Sequence, residues 1–556
     1  MVERVLSGQP ASTGLAAGPL MRLTPARTPM RERVKHAKIE HEVQALREAL
    51  SRAAHQLHTL TEHADTAASD VIGFQLALIE DETLTRPIYE AVRCGQAADT
   101  AWAGALDDEI EHYAASSNEY FRARASDLRD LRDRVLNALF GDDVAQMVRP
   151  GAVVVADDLS PSAFLAIDWS SARAIVLMRG SASSHVAMLA RAKGVPMIVG
   201  LAGPIPEHAS EVLVDAVSGT LHVEPTEDDR RRFAARMEGE AARRTAATRR
   251  IREAAVTRDG VRVAVRINVA SLAELDRFDA AACDGIGLVR TELLFGEHFA
   301  DADENTQYHA YRRLLDWCAG KPVVVRTLDA GADKPMAGIT LEHESNPFLG
   351  MRGVRLSLAR PDLFRVQLRA LVRAAAHGDL KVMIPMVTTP SELEAVRVML
   401  AEEIRQLERA GIDARMPPLG MMVEVPAAAL APESFDADFH SIGSNDLTQY
   451  VTAAGRDNAA VASLADPLNP AVLRLIAHVA HHGAARGLEV SLCGDAAADT
   501  AVLPYLLACG LRTLSVGIAG VARVKAAIAD LDVHASMSAL PVDVALSSSD
   551  HDRRIK

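Results

Sequence analysis

Apolar and polar positions alternate with a helical period through the first quarter of the chain. Between Val43 and Leu60 the apolar side chains recur every three or four residues, which predicts a helix with one packed face. Further helical stretches follow, and we expect antiparallel helix packing for most of this region. These predicted helices are Ile72–Glu80, Leu84–Arg93, Ala101–Ala115 and Tyr120–Leu139.

After Pro150 the pattern changes to short runs rich in β-branched residues, separated by helical segments, which predicts a compact α/β unit. The first twenty residues, where glycine and proline separate short apolar pieces, predict strands that pair with this unit. We therefore expect an α/β domain made of residues 1–24 and 146–225, with an all-helical block, 25–145, inserted into it. The predicted strands are Ala152–Ala156, Ala174–Met178, Met197–Val199, Val212–Val214 and Thr220–Val223.

The rest of the chain predicts a linker and a barrel, so the fold class is α/β multidomain. Residues 226–258 are dense in Arg, Glu and Ala, which indicates an exposed linker helix. Across 259–535 eight runs, most of them apolar on both faces, alternate with helical stretches and predict a (β/α)8 TIM-type barrel. A polar tail follows at 536–556. The predicted barrel strands are Val261–Val269, Gly285–Arg290, Pro322–Leu328, Lys381–Met386, Gly420–Val425, Phe439–Ile442, Glu489–Cys493 and Thr513–Val516.

Polar or reactive side chains stand where most of the predicted barrel strands end. TIM-type barrels hold their catalytic groups at the carboxyl ends of the strands, so this placement favours a site there. Charges placed by chance would be scattered along strands and helices instead. The residues at these ends are Asn268, Arg290, Arg326 with Asp329, Glu424, Asn445 with Asp446, and Cys493.

The arginines and carboxylates at these strand ends suit phosphate and metal chemistry. Arg290 and Arg326 can bind a phosphate or carboxylate in a bidentate fork. Glu424 and Asp446 suit Mg²⁺ better than zinc, which prefers His or Cys ligands. Mutual neutralisation in a buried ion-pair network accounts for the same residues almost equally well.

Two loops add further arginines and favour the anion-binding interpretation. The segment NPFLGMR ends in Arg352, and Gly455-Arg456-Asp457 contributes Arg456. Four arginines against two carboxylates leave a positive surplus, which attracts an anion.

A cysteine and a histidine are also candidates. Cys493 could exchange a proton with a substrate, although position alone favours an inert core cysteine. His185 follows serines that can cap the next helix, whose free N–H groups favour an anion. An imidazole there could accept a phosphoryl group, yet the chain has 19 histidines, so position alone is weak support.

Composition excludes several classes of function. A chain with 49% hydrophobic and 24% charged residues fits a globular protein. Its net charge of −14 argues against nucleic acid or an anionic membrane as a partner. No apolar run reaches the ~18 residues of a membrane span, and the first residues lack the apolar core of a signal peptide. The five cysteines form no Cys-x-x-Cys pair, so we expect free thiols and a cytoplasmic protein.

Several segments are too long and too specific for a coincidental match. They are Ser7–Pro19, ASDLRD at 125–130, SHVAMLAR at 184–191, GIGLVRTELLF at 285–295, NPFLGMR at 346–352 and SIGSNDLTQY at 441–450. In this order, and over essentially the whole chain, they resemble enzyme I of the bacterial phosphoenolpyruvate-dependent sugar phosphotransferase system. The resemblance implies a swivelling phosphohistidine α/β domain and a barrel that binds phosphoenolpyruvate.

The resemblance also implies roles for the barrel residues. The phosphate and carboxylate of phosphoenolpyruvate would be held by Arg290, Arg326 and Arg456, with support from Arg352. Asn445 and Asp446 would contact the substrate as well. Glu424 and Asp446 would bind Mg²⁺ as the cofactor.

Phosphoryl transfer and its partners are implied in the same way. His185 would accept the phosphoryl group, and Cys493 would protonate the enolate carbon as pyruvate forms. A histidine-containing phosphocarrier protein would dock on the helical insertion and receive the group. The family further implies a homodimer through the barrel, and the linker helix at 226–258 is a candidate hinge.

The chain departs from the family pattern in three places. The loop before His185, Gly180-Ser181-Ala182-Ser183-Ser184, lacks the usual arginine, and the third strand is followed by Gly331-Ala332-Asp333-Lys334 instead of Gly-Gly-Asp-Lys. The family's usual Cys-Gly-Glu is Cys493-Gly494-Asp495 here.

Two alternative functions are less well supported. A pyruvate–phosphate dikinase or phosphoenolpyruvate synthase would need a further nucleotide-binding domain. The intact site residues argue against a regulatory protein without activity.

Overall fold

The computed structural model describes residues 5–23, 38–61, 66–115, 119–141, 148–181, 184–331, 336, 338–340, 344–455, 461 and 464–537. The chain divides into two compact units, Met1–Glu240 and Ala241–Lys556. Among the described residues, no helix combines the length and the apolar character needed to cross a membrane. Arg456 and most of the polar tail, from residue 538 on, lie outside the described residues.

The first unit is built on one mixed sheet. Its strands are β1 (Val5–Ser7), β2 (Gln9–Ser12), β3 (Leu15–Arg22), β4 (Val153–Ala156), β5 (Ala174–Leu177), β6 (Met197–Val199), β7 (Glu211–Asp215) and β8 (Thr220–Val223). They lie in the order β1-β8-β7-β3-β4-β5-β6-β2, with β3, β4, β5 and β6 parallel. The N-terminal strands therefore join the later ones in one sheet, as predicted.

The helices of the predicted insertion follow β3 in the chain and precede β4. They are α1 (Ile39–Thr61), α2 (Thr66–Glu80), α3 (Glu82–Arg93), α4 (Ala98–Ala115) and α5 (Glu119–Phe140). All five predicted helices are confirmed. Their apolar faces share a core in which Leu46, Trp102, Leu106 and Leu131 are fully buried, so the helices pack on one another as their periodicity indicated.

Three more helices belong to this part of the chain: α6 (Pro161–Ala166), α7 (His185–Lys193) and α8 (Glu227–Arg249). Helix α7 begins as the sequence predicted, because the Ser184 hydroxyl accepts a hydrogen bond from Ala187 N at 3.2 Å. The linker helix is shorter than the expected 226–258. It ends at Arg249, and Ala255–Val256 form a short strand instead.

The second unit is a closed parallel barrel. A short strand, β9 (Ala255–Val256), pairs antiparallel with the first barrel strand. The barrel strands are β10 (Arg262–Val269), β11 (Ile286–Arg290), β12 (Val323–Arg326), β13 (Leu380–Ile384), β14 (Leu419–Val423), β15 (Phe439–Gly443), β16 (Glu489–Cys493) and β17 (Thr513–Gly517). Strands β10 to β17 pair in chain order, and β10 pairs with both β11 and β17, which closes the ring. All eight predicted barrel strands are confirmed.

Helices cover the outside of the barrel. They are α9 (Leu272–Leu275), α10 (Thr291–Leu294), α11 (Glu304–Cys318), α12 (Val354–Ala359), α13 (Pro361–Ala375), α14 (Pro390–Arg409), α15 (Pro426–Leu430), α16 (Ser444–Thr452), α17 (Pro470–Arg486), α18 (Leu503–Ala508), α19 (Val521–Asp530) and α20 (Val533–Met537). Outward-facing strand residues such as Val265, Val325 and Leu514 pack with them in one continuous core. This layer is apolar, as expected for parallel strands.

The amino-terminal part of the barrel interior is charged, contrary to the expectation of strands that are apolar on both faces. Arg266 on β10 and Lys381 on β13 both pair with Glu489 on β16, with N–O distances of 2.6 and 3.2 Å. Burial opposes ionisation of Glu489, but the two cations hold the pKa of its carboxyl below the usual range. The carboxylate of Glu489 is thus the shared counter-charge of two cations, which come from two other strands.

We expect Glu489→Gln to lower the free energy of unfolding of the barrel by about 2–3 kcal/mol, because Arg266 and Lys381 lose their shared counter-charge. Urea unfolding of the full chain measures the change. Asp316→Asn is the matched control, since Asp316 pairs with Arg312 across one turn of an exposed helix surface and should cost under about 0.5 kcal/mol. Equal effects of the two variants would contradict the role of Glu489.

A buried histidine in the outer layer predicts a pH dependence of stability. The His440 side chain is inaccessible to solvent, and neither ring nitrogen has a hydrogen-bond partner among the described residues. Burial, with His482 nearby, lowers the pKa of His440 to about 4. Below its ordinary pKa of ~6.5 the unfolded chain therefore takes up a proton that the folded barrel does not.

We expect this histidine to cost the barrel about 2 kcal/mol of unfolding free energy between pH 7 and pH 5. His440→Phe should flatten that part of the profile, because the aromatic ring fills the site without titrating. Urea titrations of wild type and variant at both pH values measure the difference. Parallel losses in the two proteins would show that other groups cause the acid sensitivity.

Candidate active site

The carboxyl ends of the barrel strands bring most of the predicted site residues to one end of the second unit. Arg290 and Arg326 are the last residues of β11 and β12, and Cys493 is the last of β16. Glu424 follows β14 directly, whereas Asn445 and Asp446 open helix α16 after β15. Strands in parallel register carry these side chains to the same edge.

Arg326 is held by carboxylates on two sides. It is 4% exposed, its Nη1 lies 3.1 Å from Asp329, and its Nη2 pairs with Glu292 on α10. Burial alone would lower the pKa of Arg326, but the carboxylates of Glu292 and Asp329 raise it above the usual range. The guanidinium is therefore charged and fixed in orientation.

Arg352 also pairs with Asp329, and it pairs with a further carboxylate, that of Asp446. It is 1% exposed and lies 3.1 Å from both Asp329 and Asp446. Its Nη1 also donates to the Tyr450 hydroxyl at 3.4 Å, and that hydroxyl donates to the carbonyl of Phe348. Asp329 therefore bridges two arginines, and Tyr450 ties the NPFLGMR loop to α16.

A glycine permits this close approach of the loop. Gly331 has φ of +109°, and a Cβ there would lie 2.6 Å from Met351 O and 2.7 Å from Arg352 Cβ. Any larger residue would push the loop that carries Arg352 away from Asp329.

The surroundings of Glu424 oppose its ionisation. It is 1% exposed, and its Oε1 accepts a hydrogen bond from Met386 N at 2.7 Å. Burial, followed by the neighbouring carboxylates of Asp446 and Asp329, raises the pKa of Glu424 to about 8. A negative charge at this position is therefore costly until a cation approaches it.

The charge balance of this end of the barrel differs from the sequence-based count. That count gave four arginines and two carboxylates, whereas the described residues here contain three arginines and four carboxylates. They are Arg290, Arg326, Arg352, Glu292, Asp329, Glu424 and Asp446. Two things account for the difference: Glu292 and Asp329 were left out of the earlier charge count, and Arg456, which was included in it, lies outside the described residues.

Two of these carboxylates, Glu424 and Asp446, are the predicted ligands of Mg²⁺. Among the described residues, no group of three or more His, Cys, Asp or Glu side chains is arranged to hold a metal ion. Mg²⁺ commonly takes one or two protein carboxylates and fills its octahedron with water and substrate oxygens. Glu424 and Asp446 fit that pattern, and their mutual repulsion is what a divalent cation relieves.

Cys493 is buried at the end of β16, and Asn445 is bonded to the residue that lies two positions beyond it, Asp495. The Cys493 thiol is 2% exposed, and burial raises its pKa. Asn445 Nδ2 donates a hydrogen bond to the Asp495 carboxylate at 3.2 Å. Asn445 Oδ1 accepts a hydrogen bond from the backbone N–H of Asp495 at 3.0 Å. Asp495 therefore orients the Asn445 side chain.

His185 belongs to the other compact unit and is the first residue of α7. The loop before it lies partly outside the described residues, at Ala182 and Ser183, and so does the predicted substrate ligand Arg456. The structure therefore brings together the arginines and carboxylates of the barrel, and His185 stands at a helix N-terminus of the other unit.

Comparison with known proteins places this arrangement in a family. Family models described as the PEP-binding domain, the N-terminal region and the mobile domain of PEP-utilising enzymes match residues 244–533, 7–124 and 148–219. A phosphoenolpyruvate-protein phosphotransferase of Geobacillus stearothermophilus is 35% identical over 95% of this chain and 93% of its own length. The chain belongs to the phosphoenolpyruvate-protein phosphotransferase family.

Further relatives carry the same name. The protein of Bacillus subtilis is 32% identical over 95% of this chain and 94% of its own length, and that of Haloferax volcanii is 39% identical over 83% and 82%. The predicted enzyme class is thereby confirmed: the chain catalyses phosphoenolpyruvate-dependent phosphoryl transfer. The predicted fold class is confirmed as well.

Proposed function

We propose that the chain transfers the phosphoryl group of phosphoenolpyruvate to His185 and then to a histidine-containing phosphocarrier protein. This is the first step of a sugar phosphotransferase system. The observation that carries the proposal is the pair of buried guanidinium groups, Arg326 and Arg352, bridged by Asp329 where the barrel strands end. Fixed, permanently charged forks of this kind bind phosphate and carboxylate groups.

The chemistry follows from the residue types. Arg290, Arg326 and Arg456 would hold phosphoenolpyruvate, with Arg352 and Asn445 supporting its orientation. Neutral His185 attacks phosphorus, so that a P–N bond forms while the bond to the enol oxygen breaks. Cys493 then gives its thiol proton to C3 of the enolate, which yields pyruvate and leaves a thiolate that solvent reprotonates.

Glu424 and Asp446 would hold Mg²⁺ next to the substrate phosphate. When bound, the ion supplies positive charge to the phosphoryl oxygens during transfer. The two carboxylates would position it, and the pairing of Arg352 with Asp446, at 3.1 Å, keeps that carboxylate in place.

The domain boundaries and partners are part of the same proposal. The α/β phosphohistidine domain comprises 1–24 and 146–225, and the insertion 25–145 binds the carrier. Residues 226–258 link it to the barrel at 259–535, followed by the tail. We further propose a homodimer through the barrel, in the cytoplasm, with the linker as hinge.

Incubation with labelled phosphoenolpyruvate and Mg²⁺, followed by peptide mapping, tests the proposal. We expect one acid-labile phosphate on His185, complete loss in His185→Ala, and full labelling in the control His208→Ala, an exposed histidine of the same unit. Label that persists in His185→Ala would overturn it. Labelling from ATP instead would favour a dikinase, and failure of the label to leave upon addition of a phosphocarrier protein would exclude the carrier step.

A further inference from the structure

The sulfur of Cys493 lies in a small network of buried hydroxyl groups. The Ser441 hydroxyl on β15 donates to Sγ of Cys493 at 3.5 Å, and the Ser491 hydroxyl on β16 donates to the Ser441 oxygen at 3.0 Å. All three residues are nearly inaccessible to solvent. The donors therefore point in one direction, from Ser491 through Ser441 to the sulfur.

The strand register makes this chain of donors a built feature. Ser441 pairs with Ser491 across the sheet, and Gly443 pairs with Cys493. With side chains alternating along each strand, both serines and the cysteine face the barrel interior. A buried hydroxyl costs free energy unless it is hydrogen-bonded, and here each serine satisfies its donor within the network.

The thiol makes a second contact of a different kind. Its S–H donates to the carbonyl of Ile442 at 3.6 Å. That bond needs the thiol proton and is lost when the proton leaves. The bond from Ser441 uses a sulfur lone pair, so it persists and strengthens when sulfur becomes negatively charged.

We propose that Ser441 is a positioning residue for Cys493, which holds the sulfur in place through proton transfer, and that Ser491 orients the Ser441 hydroxyl. The inference rests on the proposed role of Cys493 as the proton donor. In the step concerned, the S–H bond breaks, a C–H bond forms at C3 of the enolate, and the resulting thiolate keeps the Ser441 O–H···S contact. Solvent returns the proton, so the serines end the cycle unchanged.

The role predicts a specific effect of Ser441→Ala in the full-length enzyme with Mg²⁺. The single-turnover rate of pyruvate formation should fall about tenfold, with KM for phosphoenolpyruvate within about twofold of wild type, since one hydrogen bond to a developing charge is lost. Thiolate formation becomes harder without the donor. The alkaline limb of the rate profile should therefore move to higher pH by about one unit.

Ser491→Ala should shift the limb in the same direction by a smaller amount, because it only frees the Ser441 hydroxyl to rotate. Ser357→Ala, a buried serine on α12 outside the barrel wall, is the matched control and should leave rate and limb unchanged. A merely structural role of Ser441 would lower the rate or raise KM without moving the limb.

Cys493→Ser distinguishes the role of Cys493 as proton donor from the positioning role of Ser441. If the wild-type limb persists in Cys493→Ser, the proposed role of Cys493 fails. If Cys493→Ser removes the limb while Ser441→Ala and Ser491→Ala leave it in place, the role of Cys493 stands and the positioning role of Ser441 is overturned.

Discussion

Arg352→Lys should lower kcat/KM for phosphoenolpyruvate by at least about a hundredfold, because a misplacement of about 1 Å in the groups that position a substrate costs about that much. Arg352 reaches Asp329 and Asp446 on two different elements, at 3.1 Å each. An ammonium group is a single point of charge and cannot span both carboxylates. One of them would be left without its partner, and the bridge from Asp329 to Arg326 would lose its fixed geometry.

Steady-state kinetics with a phosphocarrier protein measure the loss, and thermal unfolding shows whether the barrel is still folded. Arg360→Lys is the control, because Arg360 pairs with Asp362 on the exposed surface of the same unit. Its kcat/KM should stay within about twofold of wild type. If Arg352→Lys retained more than a tenth of the activity, the bidentate contacts of Arg352 would not be needed for catalysis.

The sequence predicted the barrel strands well because their period is simple. Each strand presents apolar residues to the helices, and that outer layer alone makes the runs visible. The charged interior was missed, although a period of two is present in β10, where Arg266 and Asn268 alternate with valine and isoleucine. A strand that places charge inside a barrel needs a counter-charge from another strand, and pairing over more than two hundred residues cannot be inferred from local pattern.

Some residues of the candidate site could be identified from the sequence and others could not. Strand-end residues such as Arg326 and Glu424 could be identified because the barrel edge collects them. Asp329 was identified with Arg326 at a strand end but was left out of the charge count, and Glu292 was not identified. Both lie just past the strand ends, in the loop after β12 and in α10, where nothing local shows which way they face. Their spacing was the available signal: Glu292 lies two residues after Arg290, and Asp329 three after Arg326.

Those two carboxylates change the interpretation of the charge. With Glu292 and Asp329 included, the four arginines of the sequence-based count are matched by four carboxylates, so the positive surplus of that count disappears. Phosphoenolpyruvate is an anion, and a divalent cation would add the positive charge that favours its binding.

Glu424→Gln is expected to weaken Mg²⁺ binding at least about a hundredfold, since even outer-sphere changes at metal sites cost 10–100-fold. The amide keeps the size of the side chain and can still accept from Met386 N, but it removes the charge that faces the ion. Without bound Mg²⁺ the substrate phosphate meets the remaining carboxylates, so pyruvate formation should fall by about a thousandfold at millimolar Mg²⁺.

Titration with Mn²⁺, followed by its electron paramagnetic resonance signal, measures metal binding independently of activity. Glu402→Gln serves as the control, because Glu402 is a half-exposed carboxylate paired with Arg365 on the outer helices. Unchanged Mn²⁺ affinity in Glu424→Gln would remove Glu424 from the metal site. Lost affinity with normal turnover would instead show that the arginines alone supply enough positive charge for phosphoryl transfer.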